Sequence, residues 1–92
     1  MAWTHKTLTT FSTEKSPSDD NLALRNYVLT RSIPLEEQGV MSAAILTLEN
    51  GKFAVTRQFQ NLESAAEWKT FMDQTYSAGE YSQAYTCTVD TI

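Results

Sequence analysis

The chain has 92 residues, of which 41% are hydrophobic, and it carries a net charge of −4 at pH 7. This length is enough for one domain, residues 1–92, and leaves no room for a second core. Its seven basic residues are scattered. A surface that binds nucleic acid or an anionic membrane needs clustered Lys and Arg, so neither partner is expected.

A strand and the start of a helix are predicted in the first third of the chain. Trp3–Ser12 is rich in threonine, and β-branched residues suit the pleated surface of a sheet. The helix is predicted to begin at Ser16, because a serine side chain can accept from the first free N–H groups. Pro17 suits the next position, where no N–H is needed.

The same helix is predicted to run to about Arg31. Its buried face is expected to carry Leu24, Tyr27 and Val28. Ile33-Pro34 is expected to stop it, because the residue before a proline avoids the helical region. Leu35–Gly39 is then interpreted as a short acidic loop.

A β-hairpin over roughly 40–49 and 52–59 is indicated by Asn50-Gly51, because a type I′ turn needs positive φ at both central residues. A two-residue loop there pairs Leu48 with Phe53. One face is predicted to be core, with Leu46, Leu48, Phe53 and Val55. The other is small and mostly uncharged, with Met41, Ala43, Ile45, Thr47, Ala54, Thr56 and Gln58. A sheet face toward water is usually polar, so we expect something to cover this one.

A second helix and a last strand complete the chain. Asn61 is the predicted cap of a helix over about 62–77, and Gly79 is its expected terminator. Apolar residues fall on one helical stripe: Leu62, Ala65, Trp68, Met72 and Tyr76. The last strand is predicted over Glu80–Ile92, and one of its faces carries Tyr81, Gln83, Tyr85, Cys87 and Val89.

The element order, βαββαβ, predicts a ferredoxin-like α+β fold. Right-handed crossovers place both helices on one face of a four-stranded antiparallel sheet. The other face stays bare in a monomer, so we expect a homodimer that forms through the sheets.

The segment Phe53–Phe71, FAVTRQFQNLESAAEWKTF, combines a strand end with a short acidic helix start and an aromatic residue two turns in. With the element order and the apolar open face, it resembles the dimeric α+β barrel superfamily, and within it the antibiotic-biosynthesis-monooxygenase-like group. The resemblance implies two sheets packed face to face around a small cavity. It implies a cofactor-independent monooxygenase-like enzyme or another protein that binds a small aromatic or apolar ligand. A regulatory subunit or ligand sensor is a separate alternative.

Whether the chain is an enzyme stays open at this point. The alternative is a non-catalytic structural or interaction protein that dimerises through the same sheet face. Haem degradation, which the resemblance implies for some members of the group, is not expected. Trp68 matches the tryptophan of those members, but the place of their histidine falls at about Ala78 and the first strand has no asparagine. Haem needs an axial ligand, so haem is not expected. No other cofactor is expected in this chain either.

Four residues are candidates for a site. His5 is the natural general base if its strand faces the barrel cavity. Arg57 either binds a carboxylate or phosphate, as a catalytic candidate, or pairs at the rim with an acid such as Glu63. Trp68 and Tyr85 are candidates for ligand binding, and the alternative for both is packing.

Cys87 is interpreted as a small buried side chain, because no base is evident beside it to activate the thiol. With one histidine and one cysteine, no closed zinc site can form within the chain, so no metal is expected. The single cysteine, the absence of an N-terminal apolar run and the lack of a segment near 18 apolar residues indicate a cytoplasmic protein.

Overall fold

The computed structural model describes residues 2–12, 22–49, 52–76 and 85–92. These ranges hold six elements in the order βαββαβ, which confirms the predicted ferredoxin-like α+β arrangement. The elements are β1 (His5–Ser12), α1 (Leu22–Glu37), β2 (Ile45–Glu49), β3 (Lys52–Phe59), α2 (Leu62–Tyr76) and β4 (Tyr85–Thr91). The predicted helix start at Ser16, the predicted terminator Gly79, and Ala78 and Tyr81 lie outside the described residues.

The strands form one antiparallel sheet in the order β2-β3-β1-β4, so β3 and β1 are central. The predicted hairpin register is confirmed, because Leu48 lies opposite Phe53 and Leu46 opposite Val55. The turn residues Asn50-Gly51 lie outside the described part of the chain.

A β-bulge precedes β2. Met41 bridges to Phe59, whereas Ile45 pairs with Thr56, so the first segment holds one residue more than β3 between the two pairs. An extra residue reverses the side to which the preceding side chains point. Met41 is therefore buried in the core beside Phe59. The prediction that Met41 shares a face with Ile45 is wrong for this reason.

Helix α1 continues through Pro34 to Glu37, so the predicted stop at Ile33-Pro34 and the predicted loop over Leu35–Gly39 are wrong. A proline inside a helix leaves the carbonyl four residues earlier without a donor. That carbonyl belongs to Thr30, which is exposed, so water can satisfy it. The helix therefore continues through Ile33, although the residue before a proline is biased away from the helical region.

The true end of α1 is set by Gly39, whose φ is 73°. The Val40 N–H donates to the Leu35 carbonyl at 3.0 Å, and the Gly39 N–H donates to the Glu36 carbonyl at 3.1 Å. This nested pair of bonds is the Schellman motif, which needs a left-handed residue at its centre. It turns the chain from α1 toward the bulge.

Helix α2 packs over β1, β3 and β4. The side-chain oxygen of Asn61 accepts from the Ser64 N–H at 2.8 Å, which confirms the predicted cap. The apolar stripe is confirmed for its four buried members, Ala65, Trp68, Met72 and Tyr76. Leu62, at the first helical position, is instead 56% exposed.

Helix α1 contacts the same core through Leu24 and Val28, as predicted. Ser32 of the same helix is fully buried, and its hydroxyl donates to the Leu29 carbonyl at 2.9 Å. Tyr27 is predicted to be buried as well, but it is 58% exposed, and its ring lies tilted against that of Phe71 with centroids 5.6 Å apart.

Leu46 and Leu48 face the helix side of the sheet, but they are 60% and 67% exposed. Their prediction as core is wrong, because β2 is an edge strand and α2 lies over the other three strands. Both helices contact one face of the sheet. On the opposite face, which we call the open face, Leu8 and Ile45 are 38% and 51% exposed.

Candidate functional site

A cleft lies on the helix side of the sheet, between α1, α2 and strands β1 and β3. Its volume is about 180 Å³. Apolar side chains form most of its wall, among them Phe11, Val28, Phe53, Val55, Trp68 and Met72. This is the composition of a ligand pocket, in which a few polar groups are set among apolar walls.

Arg57 of β3 lines this cleft and is only 5% exposed. Its Nη1 donates to the Ser42 carbonyl at 3.1 Å. That carbonyl belongs to the segment of the bulge, between Met41 and β2. The guanidinium also lies over the ring of Trp68, 5.2 Å from the centroid, which is within the range of a cation–π contact.

The anion nearest to Arg57 is Glu36 of α1, whose Oε1 lies 3.7 Å from Nη1. Such a distance gives Coulomb attraction without a hydrogen bond. Burial lowers the pKa of Arg57 and Glu36 acts in the opposite direction, but a guanidinium stays protonated in proteins. Within the described ranges, nothing accepts a hydrogen bond from Nε or Nη2 of Arg57.

The charge of the cleft differs from that of the chain. The chain has 11 acidic and seven basic residues. Among the described residues that line the cleft, Arg25 and Arg57 are charged and none is Asp or Glu. The charged side chains of the lining are therefore positive on a negative protein, while Glu36 lies beside Arg57 outside the lining.

The four candidates predicted from the sequence do not all come together. Trp68 is 4% exposed and forms both core and cleft wall, beside Arg57. His5 lies at the start of β1 with its Nδ1 2.9 Å from the Thr4 hydroxyl, and it does not line the cleft. Its place in the strand alternation is that of Thr7 and Thr9, on the helix side, and not on the open face that the barrel cavity requires.

The ion pair of Arg57 also differs from the expected one. Arg57 is buried, not at a rim, and it pairs with Glu36 and not with Glu63. The reason is the length of α1: because this helix continues past Pro34, Glu36 is held by the helix and meets β3. Glu36 and Ser42 were missed by sequence reasoning, since their roles depend on the continued helix and on the bulge.

Tyr85 belongs to a separate polar cluster between α2 and β4. Its hydroxyl donates to Asp73 Oδ1 at 2.8 Å, and Lys69 Nζ donates to Asp73 Oδ2 at 2.5 Å. Partial burial opposes ionisation of Asp73, but these two bonds outweigh it and hold the pKa of Asp73 below its usual range. Burial, with the bond to Asp73, raises the pKa of Tyr85. Tyr85 does not line the cleft.

Cys87 adjoins this cluster and is buried, as predicted, with its sulfur accepting from the Thr9 hydroxyl at 3.4 Å. Burial raises the pKa of its thiol. A raised pKa keeps the thiol protonated near neutral pH, whereas a nucleophilic cysteine needs the thiolate. The cluster is best described as a packing and hydrogen-bonding feature that fastens α2 to β4.

Comparisons with protein-family models, with curated proteins and with solved structures found no significant match to this chain. In the described part of the chain, no helix is long and apolar enough to cross a membrane. Among the same residues, no group of three or more His, Cys, Asp or Glu side chains is placed to hold a metal ion.

Proposed function

We propose that this chain is a small-molecule-binding protein whose ligand lies in the helix-side cleft. The observation that carries the proposal is the cleft itself, about 180 Å³ in volume, with apolar walls and the buried guanidinium of Arg57. A dry cavity of about 150 Å³ accepts benzene. A single aromatic ring with a small substituent is therefore the right size.

The proposal includes the homodimer expected from the sequence, formed through the open face of the sheet. Leu8 and Ile45 are exposed there, and most of their neighbours are small and neutral: Thr10, Thr47, Ala54, Thr56 and Thr88. Apolar side chains on an uncovered sheet face favour association over hydration. Because the cleft is on the opposite face, such a dimer leaves its mouth accessible.

Binding is tested by titrating ¹⁵N-labelled protein with benzyl alcohol, a neutral probe. We expect amide shifts around the cleft and unchanged amides on the open face. Ala44→Phe should abolish the shifts, because Ala44 lines the cleft. Ala43→Phe is the matched control, since Ala43 is also exposed and is not part of the lining. Equal binding by both variants, or shifts confined to the open face, would contradict the proposal.

Dimerisation is tested by sedimentation equilibrium, given a protomer mass of 10.4 kDa. Leu8→Lys should yield a monomer, because it places a charge within the proposed interface. Leu48→Lys makes the same exchange on the helix side of the sheet and should leave the mass at twice that of one protomer. A wild-type monomer at micromolar concentration would contradict the proposed dimer. A dimer without any binding in the cleft would favour the structural alternative.

A further inference from the structure

Arg57 is a nearly buried residue whose guanidinium has no hydrogen-bonded anion among the described residues. It is only 5% exposed, and its closest carboxylate oxygen, from Glu36, lies 3.7 Å away. Buried charges are costly unless they are paired and hydrogen-bonded. Glu36 offsets the charge but does not accept from the guanidinium, and its side chain is itself 30% exposed.

The donors that remain on Arg57 are suited to a carboxylate. Nη1 is engaged with the Ser42 carbonyl, whereas Nε and Nη2 have no acceptor among the described residues. Parallel N–H groups of a guanidinium match the two oxygens of a carboxylate, and such charge-assisted pairs are stronger than neutral hydrogen bonds. The Ser42 and Trp68 contacts hold the guanidinium in place before a ligand arrives, which lowers the cost of binding.

We infer that the ligand of the cleft is a small apolar carboxylic acid, with its carboxylate on Arg57 and its hydrocarbon part against Val28, Trp68 and Met72. This inference rests on the proposed function and adds the ligand's charge and orientation. Arg25, the other charged residue of the lining, adds attraction for an anion. No Asp or Glu is among the described lining residues, although Glu36 lies beside the guanidinium outside the lining.

Glu36 has a defined part in this arrangement. Its carboxylate lies near the guanidinium that the ligand would bind, although Glu36 does not line the cleft. Because both groups are negative, Glu36 competes with a bound carboxylate for the charge of Arg57. Neutralising Glu36 should therefore strengthen the binding of an acid. A residue that only holds Arg57 in position would have the opposite effect when it is removed.

The test measures the affinity of three probes of similar shape by calorimetry: phenylacetate, phenylacetamide and 2-phenylethylamine. Wild-type protein should bind the anion at least about tenfold more tightly than the amide, as expected for hydrogen bonds to charged groups, and the cation most weakly. In Arg57→Met, the affinities for the anion and for the amide should differ by no more than about threefold. The affinity for the amide should stay close to that of the wild type.

A second pair of variants tests the inference without touching Arg57. Glu36→Gln should raise the affinity for phenylacetate several-fold, and Glu37→Gln, its exposed neighbour, should not change it. Equal affinities of wild-type protein for the anion and the amide would overturn the charge assignment and leave the cleft as a binding site. Weaker anion binding by Glu36→Gln would also overturn it. Failure of all three probes to bind would overturn the proposed function together with this inference.

Discussion

Gly39 provides the sharpest test of how the fold positions the cleft. Its φ of 73° lies in the left-handed region, which costs a residue with a Cβ atom about 1–2 kcal/mol. Gly39→Ala should therefore lower the free energy of unfolding by about 1–2 kcal/mol. In a domain of this size each kcal/mol corresponds to about 4–8 °C in the melting midpoint. The Schellman bonds stay in place, so the substituted protein should still fold.

The measurement is urea unfolding followed by circular dichroism, combined with a thermal melt. Gly39→Asn is the control, because asparagine tolerates the left-handed region better than alanine does. We expect the order of stability to be glycine, asparagine, alanine. An alanine variant as stable as the wild type, or less damaged than the asparagine variant, would refute the described end of α1.

Other substitutions test the core, the polar cluster and the thiol. Met72→Ala should lower the free energy of unfolding by about 2–5 kcal/mol. Leu62→Ala should lower it by less than about 0.5 kcal/mol, because Leu62 is exposed. Similar losses for the two variants in urea titrations would contradict the described burial. The folded-state pKa of Asp73 lies below its usual value, so its stabilisation is present above about pH 4 and is lost as the pH falls through the folded-state pKa. Asp73→Asn should accordingly flatten the loss of stability in acid, and an unchanged slope would show that the bonds from Lys69 and Tyr85 do not matter. Because Cys87 is buried, its thiol should react only slowly with a thiol reagent in the folded protein. In urea it should react at the rate of a free thiol. Fast labelling of the folded protein would contradict the described burial of Cys87.

The hairpin and α2 were predictable because their signals are local. Asn50-Gly51 determines which residues pair across the hairpin, and the pairing of Leu48 with Phe53 followed directly. Asn61 at the start of an apolar stripe likewise predicted the cap and the buried side of α2. In both cases a few neighbouring residues determine the geometry, so no knowledge of the rest of the fold is needed.

The cleft was not predictable, because it depends on two departures from local rules. The bulge carries Met41 into the core and supplies the Ser42 carbonyl to Arg57, yet no sequence signal before β2 indicated an extra residue. The continuation of α1 past Pro34 brings Glu36 to the same arginine. Sequence reasoning singled out Arg57 and Trp68, but it expected the cavity on the open face, between two sheets.

The binding of a carboxylic acid in the helix-side cleft is tested most directly by a crystal structure of the protein with phenylacetate bound. The ring should lie between Val28, Trp68 and Met72, with the carboxylate about 2.7–2.9 Å from the nitrogens of Arg57. A carboxylate turned away from Arg57 within the cleft would contradict the inferred ligand class. A ligand bound on the open face, with the helix-side cleft filled by the protein's own side chains, would contradict the proposed function itself.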